Sequence, residues 1–343
     1  LIDWLTLRLQ ISAHFRDAML DHLAQYLGML TVHNSDGEEI RKKLVFDVDK
    51  IRSDSEGIFW AIHHNGKQRF LTIGASPAQI EHGNNVFGSS DVQHCAEVII
   101  LAASRTLGLL LPPPTAWHCA RIDYTHNYAM KDANQVKQAL RELRKGDGVR
   151  QKASVPRGDS VYWGQGSDLI GGKAYDKGSQ MVYLSKKNKL QASPEQVALA
   201  SRLLRFELSL KARWFRRHAP EAGDYLNIST QQLETQHAKF FGQFIGDLEV
   251  ADMGKLLERL QFIAPSKGHA VAAYSTYLRI RELGYEMAKS SMPDSTFRRH
   301  KKYLIDAGLS QADLLGNNVI PFRRDVITLS APVTSWDDLR HAA

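Results

Sequence analysis

The sequence predicts an α+β fold: a central antiparallel sheet with helices on one face, followed by a helical C-terminal region. Three observations lead there. Several short stretches alternate apolar and polar residues with period two, as half-buried strands do. Helical stretches interleave with them without the steady strand–helix–strand rhythm of a doubly wound sheet. From about Ala251 onward only helical periodicity remains. The 343 residues are 43% apolar, enough for a real core and for about two domains of ordinary size. The expected division is residues 1–250, in strand-rich halves of about 1–111 and 115–250, and residues 251–343.

The elements follow in order. Residues 4–10 alternate and read as a strand, as do Lys43 to Asp49 and Gly57 to His63. His64-Asn65-Gly66-Lys67 forms a tight turn into a further strand, Gln68 to Ile73. Residues 92–111 form a helix capped by Asp91 or Ser90 and stopped by Pro112-Pro113-Pro114. Cys119 to Thr125 is a strand by alternation. Asn134 to Lys145 is a helix that buries Val136, Leu140 and Leu143, and Gly146 to Gly158 is a basic loop. Residues 160–176 form a hairpin around Gly164-Gln165-Gly166-Ser167. Ser193-Pro194-Glu195 opens a helix as cap then proline, and residues 204–211 return to strict alternation. Near the C-terminus, Tyr274 to Leu283 is a helix ending at Gly284, Ser291-Met292-Pro293 a turn, and Asp294 or Ser295 the cap of a helix through Ala307.

Lys and Arg outnumber Asp and Glu by 44 to 37, a modest surplus with a telling distribution. Between Lys267 and Lys302 stand eight basic residues against three acids. Helix, short turn and basic helix, with Arg298, Arg299, Lys301 and Lys302 facing outward, make a helix-turn-helix-like unit suited to duplex DNA, or else a plain cationic helix pair. Lys211 to Arg217 mixes cations with Trp214 and Phe215, either a single-strand groove or core. Cys95 and Cys119 lack metal-ligand spacing and read as reduced buried thiols, and the opening residues lack a signal-peptide layout, so a cytoplasmic location is expected. No apolar run reaches the roughly 18 residues of a membrane span.

Three predicted strands carry polar residues that could do chemistry. Period two puts Arg121, Asp123 and Thr125 on one face, and likewise Arg205, Glu207, Ser209 and Lys211, and Lys173, Tyr175 and Lys177. Asp123 and Glu207 offer hard oxygen ligands suited to Mg²⁺ or Mn²⁺. Lysines beside Tyr175 would favour its phenolate and neutralise charge on a phosphorus under attack. Alternation alone describes an ordinary solvated face laced with salt bridges equally well.

Short motifs in the same segments resemble a known family. Ile2-Asp3-Trp4-Leu5, Ala75-Ser76-Pro77-Ala78, Asn85-Val86-Phe87-Gly88, Arg121-Ile122-Asp123, Ala174-Tyr175 with Lys177, and Arg205-Phe206-Glu207 occur in order over residues 1–210. Together they resemble the filamentous-phage replication initiators of the gene II/X family and, more loosely, the rolling-circle initiators of small plasmids. The resemblance implies a relative of the HUH-type nucleases, which nick one origin strand and rejoin it through a covalent 5′-phosphotyrosine. It implies a metal on Asp123 and Glu207, a nucleophile at Tyr175 with Tyr162 on the neighbouring hairpin arm as the alternative, and Lys173 and Lys177 in support. Arg121 and Arg205 would contact DNA. Implied partners are single-stranded and duplex origin DNA and the helicase and replication machinery of a bacterial host.

The chain departs from that pattern at one point, because it has no His-hydrophobe-His pair. His63-His64 is adjacent, and His126 falls three residues after Asp123, on the opposite strand face. The third metal ligand is thus unassigned. A hydrolytic metal nuclease, or a DNA-binding regulator without catalysis, are the competing readings.

Overall fold

The computed structural model describes residues 1–11, 16–47, 57–65, 68–145, 160–186, 191–245, 253–309, 314 and 331–342. The N-terminal half contains β1 (Ile2–Ile11), α1 (Arg16–Ala24), β2 (Leu27–His33), β3 (Glu39–Phe46), β4 (Phe59–Asn65), β5 (Gln68–Ala75), α2 (Pro77–His82) and α3 (Val92–Leu107). There follow β6 (Trp117–Ala129), α4 (Ala133–Lys145), β7 (Ser160–Trp163), β8 (Ile170–Asp176), α5 (Lys177–Ser185), α6 (Pro194–Ala200), β9 (Leu203–Lys211), α7 (Ala212–His218) and α8 (Thr230–Ile245). Helices α9 (Met253–Ile263), α10 (Lys267–Leu283), α11 (Tyr285–Ser290), α12 (Asp294–Asp306) and α13 (Trp336–His341) complete the chain. Among the described residues no helix is long and apolar enough to cross a membrane.

Seven strands form one sheet in the order β4-β5-β1-β6-β9-β8-β7, each antiparallel to its neighbours, and β2 and β3 form a separate hairpin. The expected α+β class is therefore the observed one. Alternation separates the two faces of the sheet. One is apolar: Leu5, Leu7 and Leu9 of β1, Ile122 of β6 and Phe206, Leu208 and Leu210 of β9 share a core with α3, α4 and α8. Gly172 is required on this side, because a Cβ there would overlap the ring of Phe240 from α8. The other face carries the polar residues picked out by period two. Both cysteines are free and buried.

Several boundaries differ from the sequence reading, each for a local reason. Helix α3 takes Asp91 as its cap, the side chain accepting from Gln93 N and His94 N. It stops at Leu107 because Gly108 turns left-handed with φ 60°, ahead of the prolines. The β2–β3 hairpin begins earlier than the strand expected at Lys43, turning where Asn34 Oδ1 accepts from the amides of Asp36 and Glu38. Lys177 does not continue β8. Asp176 caps α5, its carboxylate accepting from Ser179 N at 2.9 Å and Ser179 Oγ at 2.8 Å, so the chain turns helical there. Ser193 forms a full capping box with Gln196. Helix α12 starts after Pro293 with no side-chain cap, and α11 intervenes between it and α10, so the basic unit has three helices rather than two. Trp214 and Phe215 are core. The basic loop expected at 146–158 lies outside the described residues.

Helices α9 to α12 have their own apolar cluster, built on Leu260, Ala273, Tyr277, Phe297 and Leu304. The C-terminal end belongs elsewhere. Val333 pairs with Asn127 of β6, its amide donating to the Asn127 carbonyl at 2.8 Å. Leu339 is buried with Val86, Phe87, Met181 and Leu203, and Trp336 meets Phe87 edge-on. The Arg202 guanidinium donates to the carbonyls of Leu339 and Ala342, the last turn of α13. Residues 331–342 thus strap the sheet body, and truncation at residue 251 would uncover its core. Leu339→Ala is expected to lower stability by about 2–5 kcal/mol, read as a drop in the denaturant midpoint. An unchanged midpoint would show that the strap adds nothing to stability.

Candidate functional site

The polar face is organised by strand register. Tyr162 of β7 lies opposite Lys173 of β8, Lys173 opposite Glu207 of β9, and Glu207 opposite Thr125 of β6. These four side chains form one row across the sheet. In the next row Tyr175 lies opposite Arg205, and Arg205 opposite Asn127. Asp123, opposite Ser209, is the diagonal neighbour of Glu207.

A third carboxylate joins them. Ile2 pairs with Tyr124 but Trp4 with Asp123, so Asp3 is an extra residue in the ladder, a β-bulge that turns its side chain toward the polar face. Asp3, Asp123 and Glu207 are 7%, 2% and 1% exposed. Sequence reading missed Asp3 as a site residue, since period two from Trp4 assigns no role to it; the signal was its place in the Ile2-Asp3-Trp4-Leu5 motif.

Each carboxylate has a cation. Arg121 grips Asp123 with two bonds, Nε to Oδ1 at 2.8 Å and Nη2 to Oδ2 at 2.6 Å. Lys173 Nζ lies 2.8 Å from Glu207 Oε1. Arg205 Nη1 lies 3.1 Å from Asp3 Oδ1. Burial pushes Glu207 up to about 8; Lys173 opposes the rise, and the carboxylates of Asp123 and Asp3 add to it. Burial works against ionised Asp3 too, but Arg205, Lys177 and Lys173 prevail and hold it below its ordinary value. Burial also opposes the charge on Lys173, and Glu207 more than compensates, so Lys173 stays a cation.

Three of the expected site residues are placed differently from the expectation. Arg205, expected at the DNA surface, is wholly buried: besides Asp3, its Nε donates to Asn127 Oδ1 at 2.7 Å and its Nη2 to the carbonyl of Val86. Tyr175 is buried, with its hydroxyl 3.3 Å from Glu207 Oε2, and burial raises it well above the usual phenol range, the opposite of an activated phenolate. Glu207 and Asp3 add to that rise, and Lys173, 4.9 Å from the ring and paired with Glu207, opposes it without overcoming it. Lys177 leaves the strand at the start of α5 and is buried, its Nζ donating to Asn85 Oδ1 at 2.7 Å and Gln180 Oε1 at 2.6 Å. Burial drives its ammonium well below the usual range.

The other candidates keep their expected placement except Lys301, expected outward and here half-buried. Tyr162 is half-buried on the edge strand, on the Glu207 side of the sheet. Arg121 is partly exposed beside Asp123. On α12, Arg298, Arg299 and Lys302 are exposed, while Lys301 turns back so that Nζ lies 3.1 Å from Tyr285 Oη.

The donor set suits Mg²⁺ or Mn²⁺ better than zinc. Among the described residues no three His, Cys, Asp or Glu side chains converge to hold a metal. Magnesium, however, is commonly held by one or two carboxylates, with water and substrate phosphate completing its shell. The raised Glu207 beside two further buried carboxylates is a site where added positive charge would be stabilising.

His126 is confirmed on the opposite face, against α8. Its Nε2 lies 2.8 Å from Glu234 Oε2 and its ring stacks 3.9 Å from His237. Burial lowers His126 to about 4 despite Glu234, and lowers His237 as well. The unfolded chain takes up these protons near 6.5 and the folded one resists, so folded stability is full above about 6.5 and falls as pH drops toward 4. Melting temperature should decline across that window, and His126→Phe should flatten the decline. A wild-type and variant profile of equal slope would contradict the assignment. A second expectation concerns Arg205→Ala, which leaves Asp3 buried without its cation and should cost about 3–5 kcal/mol of stability. A DNA-contact role would instead weaken binding and spare the fold.

The family described as the N-terminal part of a phage replication-associated protein, the gene II product, matches residues 1–237. The replication-associated protein of Enterobacteria phage M13 is 24% identical over 353 residues, covering 89% of this chain and 86% of its own length. That of Salmonella phage IKe is 25% identical over 388 residues, covering 94% and 92%. The match spans every strand of the seven-stranded sheet and all three buried carboxylates: this chain belongs to the phage replication-associated protein family of the gene II type.

Proposed function

We propose that the protein initiates replication by nicking one strand of origin DNA and later rejoining it, with Tyr162 as the nucleophile. The observation that carries this reading is the row Tyr162–Lys173–Glu207 on the polar sheet face, from half-buried Tyr162 at its edge to buried Glu207, beside the buried Asp123 and Asp3. Tyr162 has the partial exposure a nucleophile needs to meet a phosphate, whereas Tyr175 is enclosed and bonded to Glu207.

In the step, Tyr162 Oη forms a bond to phosphorus and yields its proton to water. The bond from phosphorus to the 3′ oxygen breaks, and that oxygen takes up a proton to become the 3′ hydroxyl that primes synthesis. The 5′ phosphate stays on Tyr162 as an ester, so reversal by a 3′ hydroxyl reseals the strand without ATP. Mg²⁺ or Mn²⁺ held by Asp123 and Glu207 would supply Lewis-acid polarisation of the phosphate. Arg121 orients Asp123, Lys173 keeps Glu207 in the row, and Tyr175 fixes the Glu207 carboxylate from below. Arg298, Arg299 and Lys302 of α12 would hold duplex origin DNA through its phosphates, with binding that weakens as salt rises. A host helicase and the bacterial cytoplasm follow from replication by such a mechanism.

On a single-stranded origin oligonucleotide, Tyr162→Phe should form no covalent adduct on a denaturing gel. Tyr175→Phe should still form it, about tenfold more slowly, as loss of one hydrogen bond to the carboxylate implies. An adduct that survives in Tyr162→Phe and vanishes in Tyr175→Phe would reverse the assignment, and cleavage without any adduct would favour hydrolysis by water.

A further inference from the structure

Behind β6, on the helix-covered side of the sheet, lies an open-mouthed cavity of about 570 Å³. Such a volume suits a nucleoside-sized ligand. Its walls include Tyr124, His126 and Tyr128 from β6 and Glu234, His237 and Phe241 from α8. Tyr124, His237 and Phe241 are buried and pack on their neighbours, while His126 and Tyr128 keep partial exposure and offer aromatic surface to a planar base.

The polar groups are arranged around one carboxylate. Tyr124 Oη donates to Glu234 Oε1 at 2.6 Å, and His126 Nε2 lies 2.8 Å from Glu234 Oε2. His126 Nδ1 lies 3.3 Å from Tyr128 Oη, so the tautomer with the proton on Nε2 donates to Glu234 and accepts from Tyr128. Each Glu234 oxygen therefore has one protein donor and spare acceptor capacity. The side chain remains 40% exposed at the cavity wall. This is an acceptor-only fork at the wall of the cavity.

Among the DNA bases, guanine alone presents two adjacent donors, N1–H and the N2 amine, to such a fork. Adenine and cytosine set a ring-nitrogen acceptor beside their amine, and thymine flanks its N3–H with two carbonyls, so each turns a lone pair toward the carboxylate. We propose that this cavity receives an unpaired guanine of single-stranded DNA, lying against Tyr128 and His126 and held at its Watson–Crick edge by Glu234. The proposal rests on the reading that the protein handles single-stranded DNA. It assigns sequence recognition to the sheet face opposite the nicking row.

The test uses the full chain and fluorescence-labelled pentanucleotides with one central base in thymine flanks, alongside dGMP alone. Wild type should bind the guanine oligonucleotide at least about tenfold more tightly than the all-thymine one. Glu234→Gln should erase that preference. So should Gly242→Phe, which places a ring on a cavity-lining glycine whose Cβ would meet nothing within 4 Å. Glu207→Ala, which disables nicking, should keep it, so failure of the nicking reading leaves this result standing. Equal binding of all oligonucleotides, or a preference that persists in both cavity variants, overturns the proposal. Loss in Glu207→Ala with retention in Glu234→Gln places guanine at the nicking row and overturns it too. Binding of dGMP without the oligonucleotide makes the ligand a free nucleotide and overturns the assignment to DNA.

Discussion

The buried ion pair between Arg205 and Asp3 is the constraint on which the polar face depends. A guanidinium and a carboxylate removed from water carry a large desolvation cost, tolerable only when their remaining bonding groups are satisfied. Arg205 meets that condition by reaching the side chain of Asn127 and the carbonyl of Val86 as well as Asp3. It thereby ties the central strands β1, β6 and β9 to the segment that follows α2. Asn127 extends the network in two directions, donating its amide side chain to the Val86 carbonyl and pairing its backbone with Val333. The C-terminal strap therefore rests one residue from the network that sets the position of Asp3.

With Asp3 fixed, the electrostatics of the row follow. Three buried carboxylates share one sheet face, and the charge on Glu207 is disfavoured by burial and by its acidic neighbours. Lys173 and Arg121 supply single partners, and neither removes the mutual repulsion that raises Glu207. Tyr175 then has a structural part to play, filling the enclosed space and steadying one Glu207 oxygen, while the edge position of β7 leaves Tyr162 the more accessible phenol. A sheet with one apolar face under helices and one polar face thus puts the carboxylate row in front and a separate aromatic-lined cavity behind the same strand, β6.

Much of this was legible in residue order. Period two put Asp123 and Glu207 on one face and His126 on the other, and strand register bears this out. Caps at Asp91 and Ser193 were readable because capping is local chemistry. What escaped were features that one strand's pattern cannot encode. Asp3 enters the site only through a bulge set by pairing with β6. Arg205 alternates onto the polar face as expected, yet neighbouring elements cover it, so its burial is a tertiary fact. Lys177 looked like the next strand residue until the Asp176 cap turned the chain. The return of residues 331–342 to the sheet joins segments more than 200 positions apart, beyond the reach of any local signal.

The central claim proposed above is that Asp123 and Glu207 hold a divalent cation when DNA is bound. Mn²⁺ titration followed by electron paramagnetic resonance, with a single-stranded oligonucleotide present, measures this directly. The account predicts that wild type binds Mn²⁺ and that Asp123→Asn and Glu207→Gln each lose that binding while remaining folded. Mn²⁺ binding that is unchanged in both variants, or absent from wild type with DNA present, would contradict it.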